Sequence, residues 1–200
     1  MKNIFILIMI LGLSANLFAQ RGYGGITWNI ASPAEETKDY IDEVSYRGFG
    51  IEFRTFLTNH ISFGGQTGWN IMDQRIDGTI ELENGAITGT QVRHLNAFPI
   101  LLNLSFHLGS PRAAIRPYVG LNAGTYFIIQ RFELGINALE QNNWHLGVAP
   151  EAGILFPTDY LTVVTSLKYN RAFEAGTSIT GEAKGYDYWG FNIGFLFPTY

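Results

Sequence analysis

The sequence predicts an all-β fold: an eight-stranded antiparallel up-and-down transmembrane β-barrel, preceded by a cleavable signal peptide. Three observations carry this. Long segments alternate a bulky apolar face with a small or polar one; short turns near His60, Ser110 and Thr158 alternate with longer polar segments; and all four tryptophans share the apolar parity at one end of their strands. A period of two marks β-strands. When the apolar set faces outward and the small, polar set inward over strand after strand, lipid takes the place of a core.

Met1 to Ala19 reads as the signal: Lys2 gives the positive end, Ile4 to Leu13 the apolar run, and Ser14 to Ala19 a small-residue exit. Gln20 then begins the mature chain, with cleavage near Ala15 as the alternative. The apolar run is too short to serve as a bilayer anchor. The barrel domain occupies residues 20–200.

The first strand, Gly22 to Ile30, puts Gly24, Ile26, Trp28 and Ile30 on one parity and Tyr23, Gly25, Thr27 and Asn29 on the other. Ala31 to Glu43 breaks the alternation with Ser32-Pro33 and a charge run, and is expected to be an exposed loop. The second strand, about Val44 to Leu57, sends Phe49, Ile51 and Phe53 outward and Gly48, Gly50, Glu52 and Arg54 inward. A turn at Thr58, Asn59 and His60 leads into a third strand, with Phe63, Thr67 and Trp69 opposed by Ser62, Gly64 and Gln66. Met72 to Gln91 stays β-like but polar, with Asn84-Gly85 as a hairpin tip beyond the membrane.

The clearest pair follows. Phe98, Ile100, Leu102, Leu104 and Phe106 face away from Ala97, Leu101, Asn103, Ser105 and His107; after Gly109, Ser110 and Pro111, the strand carrying Val119, Leu121 and Phe127 opposes Gly120, Asn122 and Gly124. Gln130 to Asn143 reads as a loop, Trp144 to Phe156 as the sixth strand with Glu151 inward, and Leu161 to Asn170 as the seventh with Lys168 inward. Glu174 to Gly185 is a last polar loop before an eighth strand with Trp189, Phe191, Ile193, Phe195 and Phe197 on its outer face. Both termini then lie in the periplasm, and Trp28, Trp69, Trp144 and Trp189 form an interfacial aromatic girdle at the extracellular rim.

Composition narrows the function classes. The chain has 46% hydrophobic and 14% aromatic residues, 23 Gly, and only 15% charged residues, which fits one barrel domain. Zero cysteine in an exported chain leaves neither disulfides nor thiolate metal sites, and a net charge of −4 argues against nucleic acid. A soluble lipocalin-like carrier would need to enclose four Trp and many Phe on its inner face, more than eight strands can hold.

Phe98-Pro99-Ile100-Leu101-Leu102, Arg116-Pro117-Tyr118-Val119-Gly120-Leu121-Asn122-Ala123-Gly124 and Trp189-Gly190-Phe191-Asn192-Ile193-Gly194-Phe195 resemble the small outer-membrane β-barrel superfamily that includes the OmpA barrel and OmpX/Ail-type proteins. The resemblance covers essentially all of Gln20 to Tyr200. It implies a Gram-negative outer membrane, contact with lipid and lipopolysaccharide, and insertion by the outer-membrane assembly machinery. One departure is the ending, where Pro198-Thr199-Tyr200 trails beyond the outward Phe197.

Chemistry-bearing residues are few. Glu52, Gln66, Asn103 and Glu151 share the inward parity, near Arg54 and Lys168; the arrangement is either a salt-bridged structural plug or the gate of a narrow pore. The plug is preferred, because such pairs persist for structural reasons alone. His60-Ile61-Ser62 resembles the His-x-Ser arrangement of PagL-type lipid A deacylases, yet it sits at a periplasmic turn, and no outward Glu orients the histidine. His94, His107 and His145 lack metal-ligand spacing, and the Asp73, Asp77, Gly78 and Glu81 echo of a calcium loop has Arg75 at its third position and Asn84 at its twelfth. No catalytic residue, cofactor or metal is expected. The leading expectation is a structural or surface-interaction barrel with binding in its extracellular loops; a gated channel and a lipid A-modifying enzyme rank below it.

Overall fold

The structure, a computed structural model, describes residues 22–82, 85–177, 179 and 184–199, and their side chains except at 79–88. The expected signal peptide, the Asn84 end of the hairpin tip and Tyr200 lie outside the described residues. Eight strands run in order: β1 Gly22–Ala34, β2 Ser45–Phe56, β3 Ile61–Leu82, β4 Gly85–His107, β5 Arg116–Leu134, β6 Asn137–Pro157, β7 Thr162–Ala175 and β8 Lys184–Thr199. Each pairs antiparallel with its sequence neighbour, and β1 closes on β8 from Gly22↔Thr199 to Ala34↔Asp187. Closure leaves the membrane-spanning backbone with no open edge, which a bilayer requires.

The side chains follow the expected alternation. Ile26, Phe49, Ile51, Ile100, Leu102, Val119, Leu121, Leu146 and Phe195 are exposed on the outer wall, whereas Asn29, Glu52, Arg54, Asn103, Asn122, Glu151 and Asn192 are buried inside. Small inner residues let large ones in. A Cβ on Gly153 would sit 2.6 Å from the Tyr118 ring and hydroxyl, and one on Gly147 would sit 2.7 Å from the Tyr126 ring. Two mid-strand prolines leave their mark on the ladders. The β3–β4 register skips from Thr67↔Ile100 to Asn70↔Ala97 around Pro99, and β6–β7 skips from Val148↔Arg171 to Glu151↔Lys168 around Pro150. Proline has no N–H to donate.

Two expected loops are corrected. Ala31 to Glu43 is not a free loop: β1 continues to Ala34, and a single helical turn, α1 (Glu35–Lys38), follows. Thr37 and Ile41, four residues apart, turn inward and are fully buried, while Glu35, Glu36, Asp39 and Asp42 stay in solvent. The charges dominate the sequence pattern, but one apolar residue is enough to cap a narrow mouth. Gln130 to Asn143 is likewise a β-hairpin, paired to Leu134↔Asn137 with Gly135 in the left-handed region at φ 61°. Its polar appearance comes from ion pairs on one face: Arg131 lies 2.7 Å from Glu133 along β5 and 3.6 Å from Glu140 across on β6.

Strands β3 and β4 have 22 and 23 residues. Crossing a bilayer takes only about 9–11. Beyond Arg47↔Ile71, the last β2–β3 pair, and Gln91↔Leu134, the last β4–β5 pair, they continue as a two-stranded arm, still paired at Leu82↔Gly85.

Candidate functional site: the lumen and its extracellular cap

The polar residues singled out from sequence meet at mid-barrel. Glu52 pairs in register with Gln66, Asn103 with Asn122, and Glu151 with Lys168, so neighbouring strands deliver their inward side chains to one place. Arg54 is the hub. Its Nε lies 3.2 Å from a Glu52 oxygen, and its Nη2 donates to Glu151 at 3.0 Å and to the Tyr118 hydroxyl at 2.8 Å. Tyr118 in turn donates to Glu151 at 2.5 Å, with the Arg54 guanidinium 4.3 Å above its ring. Asn122 donates to the second Glu151 oxygen at 3.0 Å and receives a 2.6 Å hydrogen bond from Asn103. Lys168 donates to Gln66 and stands 3.9 Å from Glu151.

All six predicted polar residues thus belong to one network. Tyr118 and Asn122 complete it and were not among them. Their inward parity is readable, and the small residue at Gly153, opposite Tyr118, is the sequence signal that a large ring fills that level. Two cations face two carboxylates, so the cluster is neutral, as a dry interior demands.

Apolar layers close the lumen on both sides of this cluster. Below it lie Tyr118, Leu155, Val164 and Leu196, with Tyr23 and Phe56 against them. Above it Met72, Leu95, Leu101, Tyr126 and Tyr188 pack beneath Ile41 of the cap. A void of about 30 Å³ lies beside the cluster among Thr27, Gln66, Lys168 and Asn192. That is space on the scale of a water or two, not a conduit.

The cap is stitched to several strands. The Asp187 N–H donates to Thr37 Oγ1 at 2.8 Å, Asp42 N–H donates to Gln74 at 3.0 Å, and Tyr40 donates its hydroxyl to the Arg131 carbonyl at 2.8 Å. Arg93 donates to the Tyr40 carbonyl at 3.0 Å. Burial pushes the Tyr40 phenol well above its ordinary pKa, against the opposing pull of Arg93.

The four tryptophans are exposed on the outer wall, between 36% for Trp69 and 59% for Trp144. Aromatic rings link two of them, Trp69 and Trp144: Phe49 to Trp69 at 6.2 Å, Trp69 to Phe98 at 5.2 Å, Phe98 to Phe127 at 6.2 Å and Phe127 to Trp144 at 5.0 Å. Trp189 contacts Tyr169 at 4.9 Å.

The remaining motifs come apart. Ser62 bonds His107 Nε2 at 2.8 Å, whereas His60 Nδ1 faces the His107 carbonyl at 3.0 Å, so His60 and Ser62 do not form a dyad. Asp73 pairs with Arg47 at 2.8 Å and Asp77 with Arg75 at 3.5 Å, separate partners that dissolve the calcium-loop echo. Among the described residues, no three His, Cys, Asp or Glu side chains converge to hold a metal.

Comparison with solved structures agrees with the geometry. The fold is similar to that of Ail, the attachment invasion locus protein of Yersinia pestis, at TM-score 0.53 and 12% identity over 90% of this chain and 98% of that one. It is also similar to Neisserial surface protein A, at TM-score 0.52 and 10% identity over 90% of this chain and 96% of that one. No family model and no curated protein sequence matches the chain. A closed ring of eight antiparallel strands, with an outer wall of Ile, Leu, Phe and Trp around a buried ionic centre, is the fold of these two solved outer-membrane β-barrels, and this chain shares that fold.

Proposed function

We propose that this protein is a closed, non-catalytic barrel whose work is done above the membrane: it presents a stable extracellular surface for interaction, and its lumen conducts nothing. The observation that carries the reading is the continuous filling of the interior. An ionic cluster centred on Arg54 lies between two apolar layers, and Ile41 covers the upper one. Glu52, Arg54, Gln66, Asn103, Glu151 and Lys168 act as a structural plug in this account, holding opposite walls together rather than gating a path.

The extracellular side offers the accessible chemistry. Beyond Ile71, β3 has lost its pairing with β2, and the arm it forms with β4 carries exposed Arg75 and Asp77 along its unpaired backbone. Such an edge is a natural surface for a partner chain. At the membrane rim, Trp28, Trp69, Trp144 and Trp189 anchor the barrel among lipid and lipopolysaccharide headgroups. Residues 1–19 direct export and are removed on the way, and the outer-membrane assembly machinery then inserts the closed barrel.

Planar bilayer recording of the folded protein tests the reading. A baseline trace over a range of voltages is expected. Steady conductance that changes with substitutions at Glu52 or Lys168 would instead make the lumen a gated pore.

A further inference from the structure

Above the membrane, between the cap and the upper ends of β4, β5, β6 and β8, lies a cavity of about 350 Å³. Its volume is in the range of small-molecule sites. Its lining combines two chemistries. Part is apolar: Phe132 and Leu139, directly paired across β5 and β6, together with Ile179. The same lining carries two cations, Arg93 and Lys184.

Among the described residues, neither cation makes a salt bridge. Arg93 is paired in register with Phe132, so its head sits beside the apolar wall; two of its bonds go to backbone carbonyls of Asp39 and Tyr40, and its buried Nε has no partner. The Lys184 ammonium makes no salt bridge among the described residues. Among the described residues of the lining, Asp39 is the one carboxylate, so two cations less one anion leave them a net charge of +1. Leu139 is 58% exposed, an apolar surface left open to water inside a concave site. Gln130 does not compete for a ligand, because its Oε1 already accepts from the Ile179 N–H at 3.2 Å and from Tyr186 at 3.3 Å.

We propose that this cavity is a binding site for a small amphipathic monoanion, a carboxylate carrying a compact apolar body. The carboxylate lies between Arg93 and Lys184, and the apolar body covers Phe132 and Leu139. Charge-assisted hydrogen bonds fix its orientation, and burial of the exposed leucine supplies affinity. The proposal rests on the reading that binding takes place above a sealed lumen, and it names the ligand class for that extracellular surface.

The test uses the full folded chain in a zwitterionic detergent and 4-(trifluoromethyl)benzoate as the probe, followed by fluorine NMR. Saturable broadening or shift of the probe signal is expected. Lys184→Gln should weaken it by about 10-fold, the scale of one charge-assisted hydrogen bond. The uncharged 4-(trifluoromethyl)benzamide should bind more weakly by a similar factor. Arg93→Gln also loosens the cap, so Lys184→Gln, which removes no salt bridge or side-chain hydrogen bond among the described residues, is the decisive variant. Equal binding of acid and amide, an unchanged titration in Lys184→Gln, or no saturable binding would each overturn the site. The bilayer recording separates the two claims. A failed titration with a silent bilayer removes this pocket and leaves the plug standing, whereas a Lys184-dependent titration with open conductance keeps the pocket and removes the plug.

Discussion

Replacing Glu151 with alanine removes the acceptor on which four side chains converge. Arg54, Tyr118 and Asn122 lose hydrogen bonds of 3.0, 2.5 and 3.0 Å, and Lys168 loses its nearest carboxylate at 3.9 Å. The cluster is left with two cations and Glu52 alone, in an interior where Arg54 is 2% exposed. Stranding one charge of a buried pair typically costs about 3–5 kcal/mol, or roughly two to three and a half powers of ten in the folding equilibrium. The double variant Glu151→Leu/Lys168→Leu restores neutrality and keeps the Arg54–Glu52 pair. It should cost less than Glu151→Ala despite removing more polar groups, because a pair replaced by apolar side chains no longer carries an uncompensated charge. Reversible urea unfolding in lipid vesicles, read by tryptophan fluorescence, measures both. A cost below about 1 kcal/mol for Glu151→Ala, or a double variant as costly as the sum of its singles, would refute the plug.

Other perturbations test separate parts of the account. Gly64→Ala forces a Cβ to 1.9 Å from the Phe53 carbonyl, whereas nothing lies within 4 Å of the same atom at Gly78; the first should block folding to the heat-modifiable band on SDS gels, and the second should leave it unchanged. Ile41→Ala should destabilise the cap by about 2–4 kcal/mol, as for other buried truncations, and speed hydrogen exchange in residues 35–41 while the strands keep their protection. The Thr90 hydroxyl, more than Arg75, holds the Asp77 carboxyl below its usual pKa. A lowered folded-state pKa means that this contact supports the arm above the ordinary carboxylate range and is lost as pH falls through the lowered value. Thr90→Val should move the Asp77 titration, followed by carbon-detected NMR, back upward.

Strand order and sidedness were legible because a two-residue period is a local property. Each outward Phe or Leu announces its neighbour's inward direction. The six polar lumen residues were legible for the same reason, since inward charges in a narrow barrel have few places to go. Tyr118 and Asn122 were missed because their role depends on register between strands; only the pairing of Tyr118 with Gly153 shows that a ring can lie across the lumen at that level. The cap was missed for a different cause. Glu35, Glu36, Asp39 and Asp42 give that segment the look of a solvated loop, and its single buried apolar side chain, Ile41, has no periodic partner to reveal it. The Arg131–Glu140 hairpin was hidden in the same way, by charges that pair with each other across strands.

The direction in which the large side chains point decides the rest, and the native tryptophans report it without labels. In vesicles, lipids brominated near the headgroup should quench the emission of Trp28, Trp69, Trp144 and Trp189 strongly, lipids brominated at the bilayer centre much less, and aqueous acrylamide least. Emission indifferent to brominated lipid but quenched by acrylamide would show that the outer wall does not face hydrocarbon.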